Sequence, residues 1–266
     1  LRGTLCGEAA SADGLCSRAE ARGPIRSQQQ SNRAANRVDE EENMKIGIVG
    51  SGIVAQTLGA KLVELGHDVA LGTRDPKKLD EKKNMAGTLR DWLGQVKNKA
   101  KIVTFKEAAA HGDLLINATH GQASVEALQM ADAGKVGSKV LIDTANELDF
   151  SKGMPPAVLA SQERCVAERI QLAFPGLRVV KCFNTMAATV MVNPKAVKDG
   201  DHTIFVAGND KDAKAKVSEL LKSFGWSDIL DLGGISAARG PEMYMALWLR
   251  LWGALGKGNV NIKVQR

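Results

Sequence analysis

The chain has 266 residues, 44% of them hydrophobic and 25% charged, with a formal net charge of +6; this is globular composition, enough for one sizeable core. One Tyr, six Phe and no Lys/Arg run interleaved with aromatics argue against a nucleic-acid binder. The cysteines (Cys6, Cys16, Cys165, Cys182) lack metal-ligand or disulfide-framework spacing and no apolar run reaches the roughly 18 to 20 residues of a membrane span, so we expect no catalytic metal, no membrane partner and a reducing cytoplasm.

Residues 1–43 differ from all that follows. They carry Arg2, Arg18, Arg22, Arg26, Arg33 and Arg37 but no lysine, a polar run from Ser27 to Asn32, and an acidic stretch from Asp39 to Glu42. No helical or alternating apolar period runs through them, so they read as a disordered or non-native leader ahead of a natural start at Met44. An organellar transit sequence, opposed by Glu8, Asp13 and Glu20, and a functional tail are the other two readings.

From Met44 onward, short β-branched runs alternate with helical patterns. Strands are predicted at Lys45–Val49, Asp68–Leu71, Lys101–Thr104, Leu114–Ala118, Lys139–Asp143, Arg178–Cys182, Thr203–Val206 and Ser227–Leu230. A helix over Ile53–Leu65 aligns Leu58, Leu62 and Leu65, and one over Ala213–Phe224 aligns Val217, Leu220, Leu221 and Phe224. Apolar strands alternating with helices form a parallel sheet covered on both faces.

The first strand runs directly into Gly50-Ser51-Gly52-Ile53-Val54-Ala55 and then a helix. This is G-x-G-x-x-A in the strand–turn–helix setting it needs. Gly50 permits the tight turn, Gly52 lets backbone approach a pyrophosphate, and Ala55 keeps helix close to sheet. The fold class expected is therefore α/β: a Rossmann-type doubly wound, mostly parallel sheet over residues 44–230, with a small C-terminal helical part over 231–266.

The second strand selects the dinucleotide. An Asp or Glu at its end would accept from a ribose 2′-hydroxyl and repel a 2′-phosphate. Here Thr73 and Arg74 follow Gly72 instead, and Lys77 and Lys78 add positive charge, which favours NADP(H). Asp75 is discordant, and we read it as the cap of a helix opened by Pro76.

Reacting groups gather beyond the carboxyl ends of parallel strands. Three such ends bring Asn117-Ala118-Thr119-His120-Gly121, Asp143-Thr144-Ala145-Asn146 and Phe183-Asn184-Thr185-Met186-Ala187-Ala188 to one rim. His120 is a candidate general acid, or else a side chain packing over the cofactor or bonding a loop. Asn184 and Thr185 suit orienting hydrogen bonds. No Tyr-x-x-x-Lys pair, Ser-His-Asp set or rim lysine placed for carbonyl reduction is expected, so ordinary alcohol or ketone chemistry lacks support.

Met44–Gly52, Gly72-Thr73-Arg74 and Val180–Ala188 together resemble the NADP oxidoreductases dependent on coenzyme F-420. Val206–Asp210, Ala213–Lys216 and Asp231–Arg239 fit as well, and the resemblance covers nearly all of Met44 to Arg266. It implies hydride exchange between the nicotinamide C4 and the deazaflavin C5, with the protein chiefly supplying proximity. It also implies that Ser51, Gly52, Ile53 and Val54 bind pyrophosphate, that Thr73, Arg74 and Lys78 bind the 2′-phosphate, and that His120 and Ala187 flank the nicotinamide. The rim positions Ala118, Thr119, Ala145, Asn184 and Thr185 complete the expected cofactor site. The family's archaeal reductases carry a Pro after the fourth strand and another in the sixth-strand motif, where this chain has His120-Gly121 and Met186-Ala187. A related domain forms the cytosolic NADPH-binding half of membrane ferric reductases; that role would need a partner or a free flavin.

Pro241–Leu255 is apolar nearly all round apart from Arg250. Such a helix is normally buried on every side. The domain core can cover one side, leaving another for a second subunit, so a homodimer is expected beside the alternative of a wholly intramolecular helix. Two functions follow: an NADPH-linked reductase of a deazaflavin, a flavin or a similar small ring acceptor, and a non-catalytic NADP(H) sensor.

Overall fold

A computed structural model describes residues 43–80, 87–132, 137–159 and 163–266. The leader predicted over residues 1–43 lies, but for Asn43, outside them. Residues 43–266 form one compact unit.

Its centre is built from strands apolar on both sides. β1 (Lys45–Val49), β4 (Leu114–Asn117) and β5 (Val140–Asp143) are buried almost throughout. β2 (Asp68–Thr73) and β3 (Ala100–Thr104) extend the sheet on one side. β8 (Arg178–Lys181), β9 (Ile204–Gly208) and β10 (Ile229–Asp231) extend it on the other. The order is β10-β9-β8-β5-β4-β1-β2-β3, and a separate two-stranded ribbon pairs β6 (Leu148–Asp149) with β7 (Ala157–Val158).

Pairing from β3 to β8 is parallel throughout. β9 is antiparallel to β8, with Lys181 opposite Ala207, and β10 follows β9. The carboxyl rim is therefore formed by β1 to β5 and β8, and chain order reverses between β1 and β4. In open α/β sheets that reversal point is where ligands bind.

Successive strand residues alternate between two cores. Ile46, Ile48, Leu114, Ile116, Val140, Ile142 and Val180 pack with α1 (Ile53–Glu64), α2 (Leu89–Gln95), α6 (Ala188–Val192) and α7 (Lys211–Ser223). Val49, Leu115, Leu141 and Val179 pack with α3 (Phe105–His111), α4 (Ser124–Met130) and α5 (Val166–Ala173). This is the doubly wound arrangement that the apolar runs require.

Several helices begin where side chains take up free N–H groups. Thr88 and Asp91 make a capping box at α2, Thr104 and Glu107 another at α3, and the Asp210 carboxylate accepts from Ala213 N at α7. Among the described residues no helix opens at Pro76, and the chain runs on through a turn and a bend to Asp80. Asp75 Oδ1 instead accepts from Lys77 N at 3.0 Å, closing a turn, and the next described helix is α2, which begins at Leu89. An Asp side chain that bonds two residues ahead gives a turn as readily as a helix start.

α8 (Arg239–Leu255) buries Pro241, Glu242, Met245, Trp248 and Leu249 and leaves Met243, Leu247 and Leu255 exposed. The residues after it return to the sheet: Thr203 N donates to Ile262 O, and Lys263 and Arg266 both pair with Asp228. Among the described residues, no helix is long and apolar enough to cross a membrane.

Candidate functional site

β1 delivers Gly50 to the rim at φ +127°, a conformation closed to side-chain-bearing residues. A Cβ there would run into the Ala118 carbonyl at the end of β4, so the turn and the neighbouring strand end touch backbone to backbone. Gly52, at the cap position of α1, faces open space. α1 has no side-chain cap and no acidic residue in its first turn, unlike α2, α3 and α7. Its free N–H groups and positive end therefore remain available to an anion. Gln56 Nε2 donates to Ser51 O at 3.0 Å, bracing the turn from within α1.

Thr73 ends β2 half-buried, and its hydroxyl lies 3.5 Å from that of Ser51. Arg74, Lys77 and Lys78 are exposed beside it. The Arg74 guanidinium has no ion pair or hydrogen bond among the described residues. The structure thus gathers the two sequence-predicted anion positions on adjacent strands, with Ile53 exposed over the turn and Val54 partly packed on the core.

The other strand ends meet in a bonded network. Asn117, Asp143 and Lys181 close β4, β5 and β8 in register, each opposite the next. Asn117 Nδ2 donates to Asp143 Oδ1 at 2.8 Å, and its Oδ1 accepts from Thr119 Oγ1 at 2.7 Å. Lys181 Nζ donates to Asp143 Oδ2 at 2.9 Å, to Glu242 Oε1 of α8 at 2.7 Å, and to the Ala145 carbonyl. Burial alone would push the Lys181 ammonium down, but the two carboxylates more than reverse this and hold it above the usual lysine range. Lys181 stands at the end of β8, but its charge is turned inward and it is 1% exposed, so it is not placed for carbonyl reduction. A polar last residue on each of three adjacent strands was the signal in the sequence. The remote partner Glu242 was not foreseeable.

His120 is exposed on the rim and meets Phe150 edge-on at 5.7 Å between ring centroids. Asn184 is 3% exposed and clasped to Asn146 by reciprocal bonds: its Nδ2 donates to Asn146 Oδ1, while Asn146 Nδ2 donates to Asn184 O. Its amide thus fastens two rim loops together. Phe183 just before it is buried at φ +66°, a strained backbone that the surrounding packing holds. Thr185 is buried, and Ala187 joins the main core to the cluster of Met245, Trp248 and Leu249 on α8. Cys182 is a buried small hydrophobe whose thiol burial pushes up.

The family model "NADP oxidoreductase coenzyme F420-dependent" matches residues 45–147. A crystal structure from Arthrobacter sp. FB24, described as a candidate F420-dependent NADP-reductase, is 45% identical with a TM-score of 0.80, covering 84% of this chain and 100% of that one. The F420-dependent NADP reductase of Methanothermobacter marburgensis is 29% identical over 78% of this chain and 92% of its own. Rat metalloreductase STEAP3 is 26% identical over 80% of this chain but only 38% of its own length. The chain thus spans well under half of the metalloreductases it matches. With that identity to the whole of the Arthrobacter protein, on an NADP-type turn and sheet, this chain belongs to the coenzyme F420-dependent NADP oxidoreductase family.

Proposed function

We propose that the chain binds NADP(H) across the carboxyl ends of β1, β2, β4, β5 and β8 and passes a hydride between it and a flat ring acceptor, a deazaflavin such as coenzyme F-420 or a flavin. One observation carries this reading. Among the described residues the rim combines an open helix end and an unpaired guanidinium with polar groups that otherwise bond one another, so it is equipped to bind and align and shows no dedicated acid–base pair there.

The residues fit the cofactor. Gly50 and Gly52 leave room for pyrophosphate against the N–H groups of Ser51, Gly52, Ile53 and Val54, and no acid opposes it in the first turn of α1. Thr73, Arg74 and Lys78 hold the 2′-phosphate, Arg74 through its planar fork. Ala118 and Thr119 present small surfaces to the nicotinamide, backed by the buried Ala145 and Thr185, with His120 and Ala187 on its flanks and Asn184 fixing the rim loop that orients it. Bound NADPH supplies the hydride from carbon. The chain's task is to hold the nicotinamide C4 about 3 to 3.5 Å from the acceptor atom, C5 of a deazaflavin or N5 of a flavin, and to exclude bulk water from between them. The proton that the reduced ring takes up at N1 can come from solvent, so the transfer asks for no buried acid, which suits an exposed His120 that packs on Phe150. The exposed stripe of Met243, Leu247 and Leu255 joins two copies as a homodimer, and the assembly works in the cytoplasm.

NADPH oxidation followed at 340 nm against a deazaflavin, flavin mononucleotide, a quinone and a ferric chelate tests the proposal. Turnover with a ring acceptor is expected. NADPH binding without turnover on any of the four would favour a sensor instead.

A further inference from the structure

Three charged side chains lie sealed in this molecule at the ends of adjoining elements: Lys181 on β8, Asp143 on β5 and Glu242 on α8, exposed 1%, 0% and 2%. A buried ion pair is seldom a net stabiliser, because desolvation consumes much of the Coulombic gain. An apolar cluster would fill the same space at no such cost, so this one calls for a role besides stability.

Its hydrogen bonds indicate the role. Ala145, at the centre of the rim, is held from both sides of its peptide units: its N–H donates to Asp143 Oδ1 at 3.2 Å, and its carbonyl accepts from Lys181 Nζ. The same Asp143 oxygen accepts from Asn117 Nδ2, and Asn117 in turn takes the N–H and hydroxyl of Thr119. Lys181 therefore fixes one rim loop directly and a second through Asp143 and Asn117. Glu242 supplies the second counter-charge and is itself oriented by Val166 N at 3.0 Å, at the positive end of α5. Every link is a side chain bonded to rim backbone or to a residue that holds it. None of the three charged groups reaches the surface where a cofactor could touch it.

We infer that Lys181 is a positioning residue: through Ala145 and through Asp143–Asn117 it sets the platform against which the nicotinamide half of NADP(H) lies, with Glu242 tying that platform to the C-terminal helix. This rests on the NADP(H) reading above. It separates the two halves of the dinucleotide, because the turn at Gly50–Val54 and the Thr73–Arg74 corner make no bond to Lys181, Asp143 or Glu242.

The test compares NADPH with 2′,5′-ADP, which carries the adenosine and 2′-phosphate but no nicotinamide, using calorimetric titration of the full chain. The variants are Lys181→Met and the charge-matched Lys181→Met/Glu242→Gln, the second removing one cation and one anion together so that the net buried charge stays the same. In the charge-matched variant NADPH should bind about tenfold more weakly, and 2′,5′-ADP within about twofold of wild type. A merely structural lysine would move both ligands together or neither, and either outcome overturns the inference. So does failure of both variants to fold, which would make Lys181 a folding element. Should the wild-type chain bind 2′,5′-ADP as tightly as NADPH, the nicotinamide platform itself would be refuted, and that result is visible before any variant is made.

Discussion

Removing the Arg74 guanidinium tests the contact proposed to distinguish NADP(H) from NAD(H). Arg74 is exposed just past the end of β2 and has no partner among the described residues, so Arg74→Ala leaves no buried group unpaired and should cost the fold little. A hydrogen bond to a charged group contributes about 1.5 to 3 kcal/mol. At about 1.4 kcal/mol per decade, NADPH should bind roughly 10- to 150-fold more weakly to the variant. NADH has no phosphate at that corner and should change by less than about threefold. Fluorescence titration of both nucleotides, with a thermal melt to verify the fold, measures the ratio directly. Equal losses for NADPH and NADH would refute the assignment of Arg74 to the 2′-phosphate and return the discrimination to another part of the rim.

Gly50→Ala places a side chain at φ +127° and against the Ala118 carbonyl, so it should abolish measurable dinucleotide binding and destabilise the chain by about 1 to 3 kcal/mol in denaturant titration; retained NADPH affinity would show that the turn is not where the pyrophosphate sits. Asp228 gives a pH signature. Burial opposes its charge, but hydrogen bonds from Thr203, Lys263 and Arg266 outweigh it and hold the carboxyl down to about 2. A depressed folded-state value contributes stability above the unfolded pKa, near 3.9, that is lost as pH falls toward about 2. Asp228→Asn should therefore lower the melting temperature at pH 7 and flatten the decline between about pH 4 and 2, a comparison made by melts across that window; parallel curves for the two proteins would argue against it. Leu247→Glu puts a charge in the exposed stripe of α8 and should convert a dimer to a monomer in light scattering, while a mass that does not respond would place the subunit contact elsewhere.

The local chemistry of the site was legible in the sequence because it is carried by short contiguous segments. Gly50 to Ala55 states its strand, turn and helix in one run, and Thr73-Arg74 follows a strand whose apolar pattern is unmistakable. The helix expected at Pro76 failed for a local reason as well: Asp75 could cap a helix or close a turn, and nothing nearby decided between them. The direction of β9 was out of reach, since an apolar strand reads the same whether its neighbour runs with it or against it.

The sequence alone determined an α/β sheet with a glycine turn running into a helix and a basic second corner, since hydrophobic period, glycine placement and charge sign act over a few residues. Only the tertiary structure decided what those corners face. Asn117, Asp143 and Lys181 are separated by 26 and 38 residues, and only the register of β4, β5 and β8 makes them neighbours. Glu242 joins them from 61 residues beyond Lys181, because the first turn of α8 comes to the end of β8. A charge placed in an apolar stretch appears in the sequence only as an exception to its pattern; its partner, and therefore its purpose, is set by which distant element folds against it.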